Sequence, residues 1–74
     1  MFIKFIDCED MEVYVNSNLI AWVQEYSENS NWTYLAMAHH ESSDITVKES
    51  VRSVISRIYA VEEMGRKLYV KEGE

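Results

Sequence analysis

The spacing of apolar residues changes once along the chain, from the alternation typical of strands to the spacing of a helix. Up to residue 48, apolar and polar side chains alternate in several short runs, which is the period of half-buried strands. After Ser50 the apolar residues recur three and four positions apart, as on one face of a helix. Ser50 is a good N-cap because its hydroxyl can accept a hydrogen bond from an amide of the first turn. The predicted helix face consists of Val51, Val54, Ile55 and Ile58.

The alternating runs predict about five strands joined by short polar turns. The helix is followed by Gly65, at a position that favours a left-handed C-terminal cap. Residues 68–70 fit either an extension of the helix or a short strand. The predicted bounds are 2–6, 11–15, 19–26, 32–39 and 44–48 for the strands, 7–10 for the first hairpin loop and 51–64 for the helix.

Two of the predicted strands, 19–26 and 32–39, are apolar on both faces, whereas one helix can cover only one face of a sheet. We therefore predict an α+β fold, a small antiparallel sheet of about four to five strands with one helix packed on one face. A second copy of the chain would cover the other face. The alternative is a strongly curled sheet that encloses both sets of side chains itself. The predicted dimer interface consists of Ile20, Trp22, Tyr26, Leu35 and Met37.

The size and the cysteine content indicate one small domain, residues 1–74, in a reducing compartment. A chain of 74 residues is near the lower limit for independent folding, so self-association would help it. Cys8 is the only cysteine, which excludes a disulfide within the chain and fits a bacterial cytoplasm. No run approaches the roughly 20 apolar residues of a membrane span. We expect a cytoplasmic homodimer with no membrane partner.

Negative charge is concentrated in the first two-thirds of the chain. Residues 1–47 hold eight acids and one base, a balance of −7, whereas residues 48–74 hold six bases and five acids. A field of one sign repels nucleic acids and anionic membranes and attracts basic surfaces. The alternative for the acidic run 7–12 is an ordinary solvated hairpin. The predicted partner-binding acids are Asp7, Glu9, Asp10, Glu12, Glu25, Glu28, Glu41 and Asp44.

No set of residues in the chain indicates catalysis or a cofactor. His39 and His40 are adjacent, so on a strand they point to opposite faces and cannot share one metal ion. The alternative is a site in the turn, formed by one of them with Glu41 or Asp44. Cys8 lacks the positive neighbours that activate a catalytic thiol. The only glycines, Gly65 and Gly73, are too far apart for a phosphate-binding loop. We therefore expect a non-enzymatic protein with no catalytic residues, no metal site and no cofactor.

These features favour a protein that imitates DNA. Proteins that bind DNA neutralise its phosphates with Lys and Arg, and a rigid surface of carboxylates can occupy the same basic groove. Tyr14 and Trp32 would add contact area beside the acids. The expected partner is a basic protein, such as a nucleoid-associated or other DNA-binding protein. In size, acidity and lack of catalytic residues the chain resembles the small early host-takeover proteins of bacteriophages, some of which block DNA-binding proteins.

A second resemblance covers residues 2–58. Asn16 precedes a Leu-Ile pair at 19–20, and the run Val-Lys-Glu-Ser at 47–50 opens the apolar helix. In these residues and in the order of its elements, the chain is similar to the FlbD-like family of small flagellar-motility proteins. It differs from that family in its hairpin, Cys8-Glu9-Asp10, and in a longer, aromatic-rich middle. The resemblance implies an adaptor that acts through an aromatic face.

Overall fold

The computed structural model describes residues 1–38 and 44–61, together with the backbone of 69–71. The fold is α+β, as the sequence predicts, and the described part of the chain contains one α-helix. Its strands belong to a two-stranded hairpin and to a larger sheet. In chain order the elements are β1 (Phe2–Ile6), β2 (Glu12–Asn16), a 3₁₀ turn (Ser17–Leu19), β3 (Ile20–Tyr26), β4 (Asn29–Met37), β5 (Ile45–Val47), α1 (Val51–Val61) and β6 (Tyr69–Lys71).

An aspartate organises the loop of the first hairpin. The carboxylate of Asp7 accepts hydrogen bonds from the backbone N–H groups of Glu9 and Met11, each at 2.9 Å. Asp10 has a φ of 67°, in the left-handed region that Asp and Asn tolerate better than most residues. β1 and β2 then pair antiparallel over their whole length. The predicted hairpin loop at 7–10 is confirmed, and its shape depends on the side chain of Asp7.

Three strands form an antiparallel sheet in the order β5-β4-β3, and β6 pairs parallel with β3 at the far edge. The hairpin joins the β5 edge through one bridge between Asp7 and Val47, beside which the N–H of Lys48 donates to the carbonyl of Ile6 at 2.8 Å. Asp7 is the first residue after β1, so the hairpin and β5 share a single bridge and not a longer ladder of pairs. The strands are therefore divided between two sheets instead of forming the one antiparallel sheet that was predicted.

The junction between β5 and α1 forms as predicted. The hydroxyl of Ser50 accepts a hydrogen bond from the N–H of Ser53 at 3.2 Å, which makes Ser50 the N-cap. The hydroxyl of Thr33 on β4 donates to the carbonyl of Glu49 at 2.7 Å and ties the junction to the sheet. The described helix ends at Val61. The predicted continuation of the helix and its glycine cap lie outside the described residues.

The core lies between the helix, the main sheet and the hairpin. Ile20 on β3 pairs with Met37 on β4, and Trp22 pairs with Ala36. Between these two pairs, β3 therefore has one residue that has no counterpart on β4. Ala21 is the extra residue of this β-bulge, which reverses the direction of the side chains that follow it. The buried hydrophobic cluster consists of Ile3, Phe5, Val15, Ile20, Val23, Leu35, Val47, Val54 and Ile58.

This core corrects the predicted dimer interface. Ile20 and Leu35 have 0% exposed surface within the single chain, so the prediction that they lie on a free face is wrong. Met37 is partly buried against the same core. The bulge turns Ile20 to the side of Val23, and Leu35 is the cross-strand neighbour of Val23. The helix covers this inner face with its own apolar side chains.

An arginine joins the helix to the hairpin through polar contacts. Arg57 donates to the carboxylate of Glu49 at 2.7 Å and also to the backbone carbonyl of Lys4. Its guanidinium carbon lies 4.7 Å from the ring centroid of Phe5. Glu49 in turn accepts a hydrogen bond from the hydroxyl of Ser53 at 2.6 Å. The first turn of the helix, its centre and β1 are therefore held together by one charged network.

Candidate partner-binding surface

The first hairpin carries three exposed acids, Glu9, Asp10 and Glu12. Asp10 accepts a hydrogen bond from the ammonium group of Lys48, and Glu12 lies 3.9 Å from the ammonium group of Lys4. Exposed ion pairs of this kind are weak and are screened by salt. A charged partner can therefore compete with both bases for these carboxylates at little cost.

The end of β3 and the turn that follows it carry two further exposed acids, Glu25 and Glu28. Neither of them forms an ion pair with any residue that the structure describes. Their charge is therefore directed at solvent and is available to a partner. We call residues 7–12 and residues 25–28 the two acidic segments.

The register of the sheet brings the two acidic segments to the ends of one row of residues. Glu25 pairs with Thr33 on β4, Thr33 pairs with Val47 on β5, and Val47 forms the bridge to Asp7. Neighbouring strands are about 4.8 Å apart, so this row spans about 14 Å between its first and last residues. The fold therefore places one acidic segment on each side of the strand pair β4 and β5, although the two segments are far apart in the sequence.

Asp44 holds the sheet together and does not present a free carboxylate. It is half-buried, and it accepts hydrogen bonds from the hydroxyl of Tyr34 and from the N–H of Met37, the latter at 2.8 Å. The prediction that Asp44 belongs to an exposed acidic surface is therefore wrong, because both of its hydrogen bonds join it to β4. Glu41, another of the predicted acids, lies outside the described residues.

The outer face of the main sheet, opposite the helix, carries four half-buried aromatic side chains. The ring centroids of Trp22 and Tyr34 are 5.6 Å apart, and the rings of Tyr26 and Trp32 stack at 6.0 Å with an interplanar angle of 22°. The ammonium group of Lys48 lies 5.4 Å from the ring centroid of Trp32. We call Trp22, Tyr26, Trp32 and Tyr34 the aromatic face.

The sequence predicts Trp22 and Tyr26 at an interface but not Tyr34. Alternation alone indicates that Trp32 and Tyr34 share a face of their strand. The cross-strand register decides which residues of neighbouring strands lie on the same face of the sheet. A bulge shifts that register by one residue, so alternation within one strand does not show that Tyr34 lies beside Trp22. The signal in the sequence that could have indicated this aromatic face is the pair of aromatic residues at positions 32 and 34.

An open depression of about 210 Å³ lies beside the turn between β3 and β4. Pockets that hold small-molecule substrates or cofactors usually measure about 300–1,000 Å³. The depression is large enough for one side chain of a partner. Its lining residues are Gln24, Glu25, Tyr26, Ser27 and Tyr34.

Within residues 1–38 and 44–61, no three His, Cys, Asp or Glu side chains converge as metal ligands. The thiol of Cys8 is exposed. His39 and His40 lie outside the described residues, and so does any site that would include them.

The described helix is too short and too polar to cross a membrane. No protein-family model, no curated protein and no solved structure matches the chain. The interpretation of the surface therefore depends on its own geometry.

Proposed function

We propose that this protein is a non-enzymatic binding module that occupies the basic, nucleic-acid-binding surface of a protein partner and so excludes DNA from it. The main support is the pair of acidic segments at the ends of one cross-strand row, about 14 Å apart. The major groove of B-DNA is about 12 Å wide. The two backbone positions at the ends of the row are therefore separated by a distance of the same order as the width of that groove.

The charge of the whole chain supports the same proposal. Its formal net charge is −6 at neutral pH, so it attracts basic proteins over a distance and repels nucleic acids. Tyr14 lies on the outer side of the hairpin, two residues after Glu12, and is 66% exposed. It would supply contact area next to the charged groups. Inhibition of a DNA-binding protein by competition is the activity that this surface favours, as in the bacteriophage proteins that the chain resembles.

The second candidate is an adaptor that binds through the aromatic face, as the FlbD-like resemblance implies. Four rings lie together on the side of the sheet that the helix does not cover, and Trp and Tyr are enriched in the centres of protein interfaces. The same face is the one through which two copies of the chain would pair. An interface of this kind is insensitive to salt, which separates it from the leading proposal.

The test is displacement of a labelled DNA duplex from purified basic DNA-binding proteins, measured at several salt concentrations. The charge-reversal variant is Glu9→Lys combined with Glu28→Lys, one exposed acid from each acidic segment. Asp10 is left unchanged because its φ of 67° disfavours Lys and would confuse charge with folding. The matched control is Trp22→Ala on the aromatic face.

The wild-type protein should displace the duplex, and its apparent affinity should fall steeply as salt rises from about 50 to 200 mM. Charge reversal should weaken displacement by at least about tenfold, or about 1.4 kcal/mol, whereas Trp22→Ala should change it little. Unchanged displacement by the charge-reversal variant would overturn the proposal. A large loss with Trp22→Ala and a flat salt dependence would favour the adaptor, and sedimentation of both variants would show whether a dimer is involved.

A further inference from the structure

The depression beside the turn between β3 and β4 is lined by two tyrosine rings. Gln24 pairs with Tyr34 across the strands, and Tyr26 is the next residue of β3 on the same face. Tyr26 is stacked on Trp32, and Tyr34 is packed against Trp22. Each of the two tyrosine rings is thus in contact with a tryptophan ring, which restricts its movement and lowers the cost of ordering it around a guest.

The electrostatic surroundings of the depression favour a cation. Aromatic faces attract Lys and Arg, and this chain already makes two such contacts, Lys48 with Trp32 and Arg57 with Phe5. Glu25 also lines the depression, and because it alternates with Gln24 and Tyr26 along β3, its charge acts from the rim and not from between the two rings. The ion pairs of the described residues join Lys4 to Glu12, Lys48 to Asp10 and Arg57 to Glu49. None of these three bases neutralises Glu25.

We propose that the depression binds a single arginine side chain of the basic partner, an inference that rests on the proposed function and names one of its contacts. The volume of about 210 Å³ suits one long side chain. A planar guanidinium can stack on a tyrosine ring and donate to a carboxylate or amide oxygen at the same time, which an ammonium group cannot do as well. Because Glu25 is also the first residue of the cross-strand row, the arginine would lie at one end of the acidic surface.

The test uses three capped tripeptides, Gly-Arg-Gly, Gly-Lys-Gly and Gly-citrulline-Gly, titrated into the ¹⁵N-labelled protein. Citrulline has the shape of arginine without its charge. The arginine peptide should shift the amide signals of residues 24–27 and the side-chain amide of Gln24. The lysine peptide should bind more weakly at the same place, and the citrulline peptide should bind at least about tenfold more weakly than arginine.

Three single substitutions test whether the arginine peptide binds in the depression. Tyr26→Leu should weaken binding of the arginine peptide by about two- to fivefold, because it removes one of the two tyrosine rings. Tyr59→Leu is the matched control, since Tyr59 is an exposed tyrosine of the helix, on the other side of the sheet, and it should leave the affinity unchanged. Glu25→Gln changes the charge but not the size, so it remains informative if Tyr26→Leu proves unstable, and it should also weaken binding.

Equal binding of the arginine and citrulline peptides at residues 24–27 would overturn the inference. Signals that shift only around residues 7–12 would also overturn it. In that case the proposed function would still stand if Glu9→Lys with Glu28→Lys abolished competition with DNA. Conversely, an arginine site at 24–27 in a protein that never displaces DNA would refute the proposed function alone.

Discussion

The two faces of the main sheet come from the same strands but have different compositions. The inner face is aliphatic, and Val23, Leu35 and Val47 on it have 0% exposed surface. The outer face is aromatic and only half-buried, with Trp22 and Tyr34 in contact. Tightly packed aliphatic side chains fix the fold, whereas half-buried rings keep surface that a partner can cover. The comparison teaches that a small sheet with two apolar faces can bury one of them completely under its own helix and leave the other half-exposed.

The largest effect is expected on the inner face. Leu35→Ala should destabilise the protein by about 2–5 kcal/mol, because it removes buried methyl groups and leaves a cavity. The whole stability of a 74-residue domain is about 4–11 kcal/mol, so much of the population should unfold. Urea denaturation followed by circular dichroism measures this. Gln24→Ala, on the outer face of the neighbouring strand, is the control and should change stability by less than about 0.5 kcal/mol. Similar losses in the two variants would contradict the division between faces.

The attachment of the helix to the inner side depends on polar contacts as well, and these predict a smaller effect. Arg57→Met keeps most of the side-chain length but loses the bonds to Glu49 and to the carbonyl of Lys4. We expect a loss of about 1–2 kcal/mol, since hydrogen bonds to charged groups are stronger than neutral ones. For a domain of this size each kcal/mol lowers Tm by about 4–8 °C in a thermal melt.

Arg52→Met is the control for that substitution, since Arg52 is an exposed residue of the same helix. It should leave Tm within about 3 °C of the wild-type value. If Arg57→Met and Arg52→Met had the same Tm, the charged network would contribute nothing measurable to stability, and the helix would be held by its apolar side chains alone.

The elements that the sequence predicts correctly are those determined by neighbouring residues. The N-cap at Ser50 and the loop started by Asp7 both use bonds that span four residues or fewer. The apolar helix face is equally local, because residues three and four apart share a side of the helix. For such features a short stretch of sequence contains all the interacting groups.

The features that the sequence does not reveal depend on residues far apart. The bulge at Ala21 decides that Ile20 faces the core, and nothing in the local alternation marks it. The contact between Lys48 and Asp10 spans 38 positions, and that between Tyr34 and Asp44 spans ten. The contact with Tyr34 removes Asp44 from the count of free charges, whereas the contact between Lys48 and Asp10 is an exposed ion pair with which a partner can compete. An estimate of acidic surface from composition alone is therefore too high.

The smallest predicted effect lies on the outer face, where one aromatic residue also contributes to folding. Tyr34→Phe keeps the ring that contacts Trp22 but removes the hydroxyl that donates to Asp44. We expect a loss of about 1 kcal/mol in urea denaturation, less than for a fully buried bond to a carboxylate, because both side chains are half-buried and water can replace the hydroxyl. Asp44→Ala should cost more, because it also leaves the N–H of Met37 without its carboxylate acceptor.

A double-mutant cycle identifies the contact responsible. In the Asp44→Ala background, Tyr34→Phe should cost clearly less than it does in the wild-type protein, since this acceptor is already absent. Tyr26→Phe, which keeps the stacking on Trp32, is the control and should cost less than about 0.5 kcal/mol. If Tyr34→Phe cost the same with and without Asp44, the hydroxyl would act through another group. The aromatic face would then contribute to stability by a route other than this bond, and the contrast between the two faces would be weaker than their burial indicates.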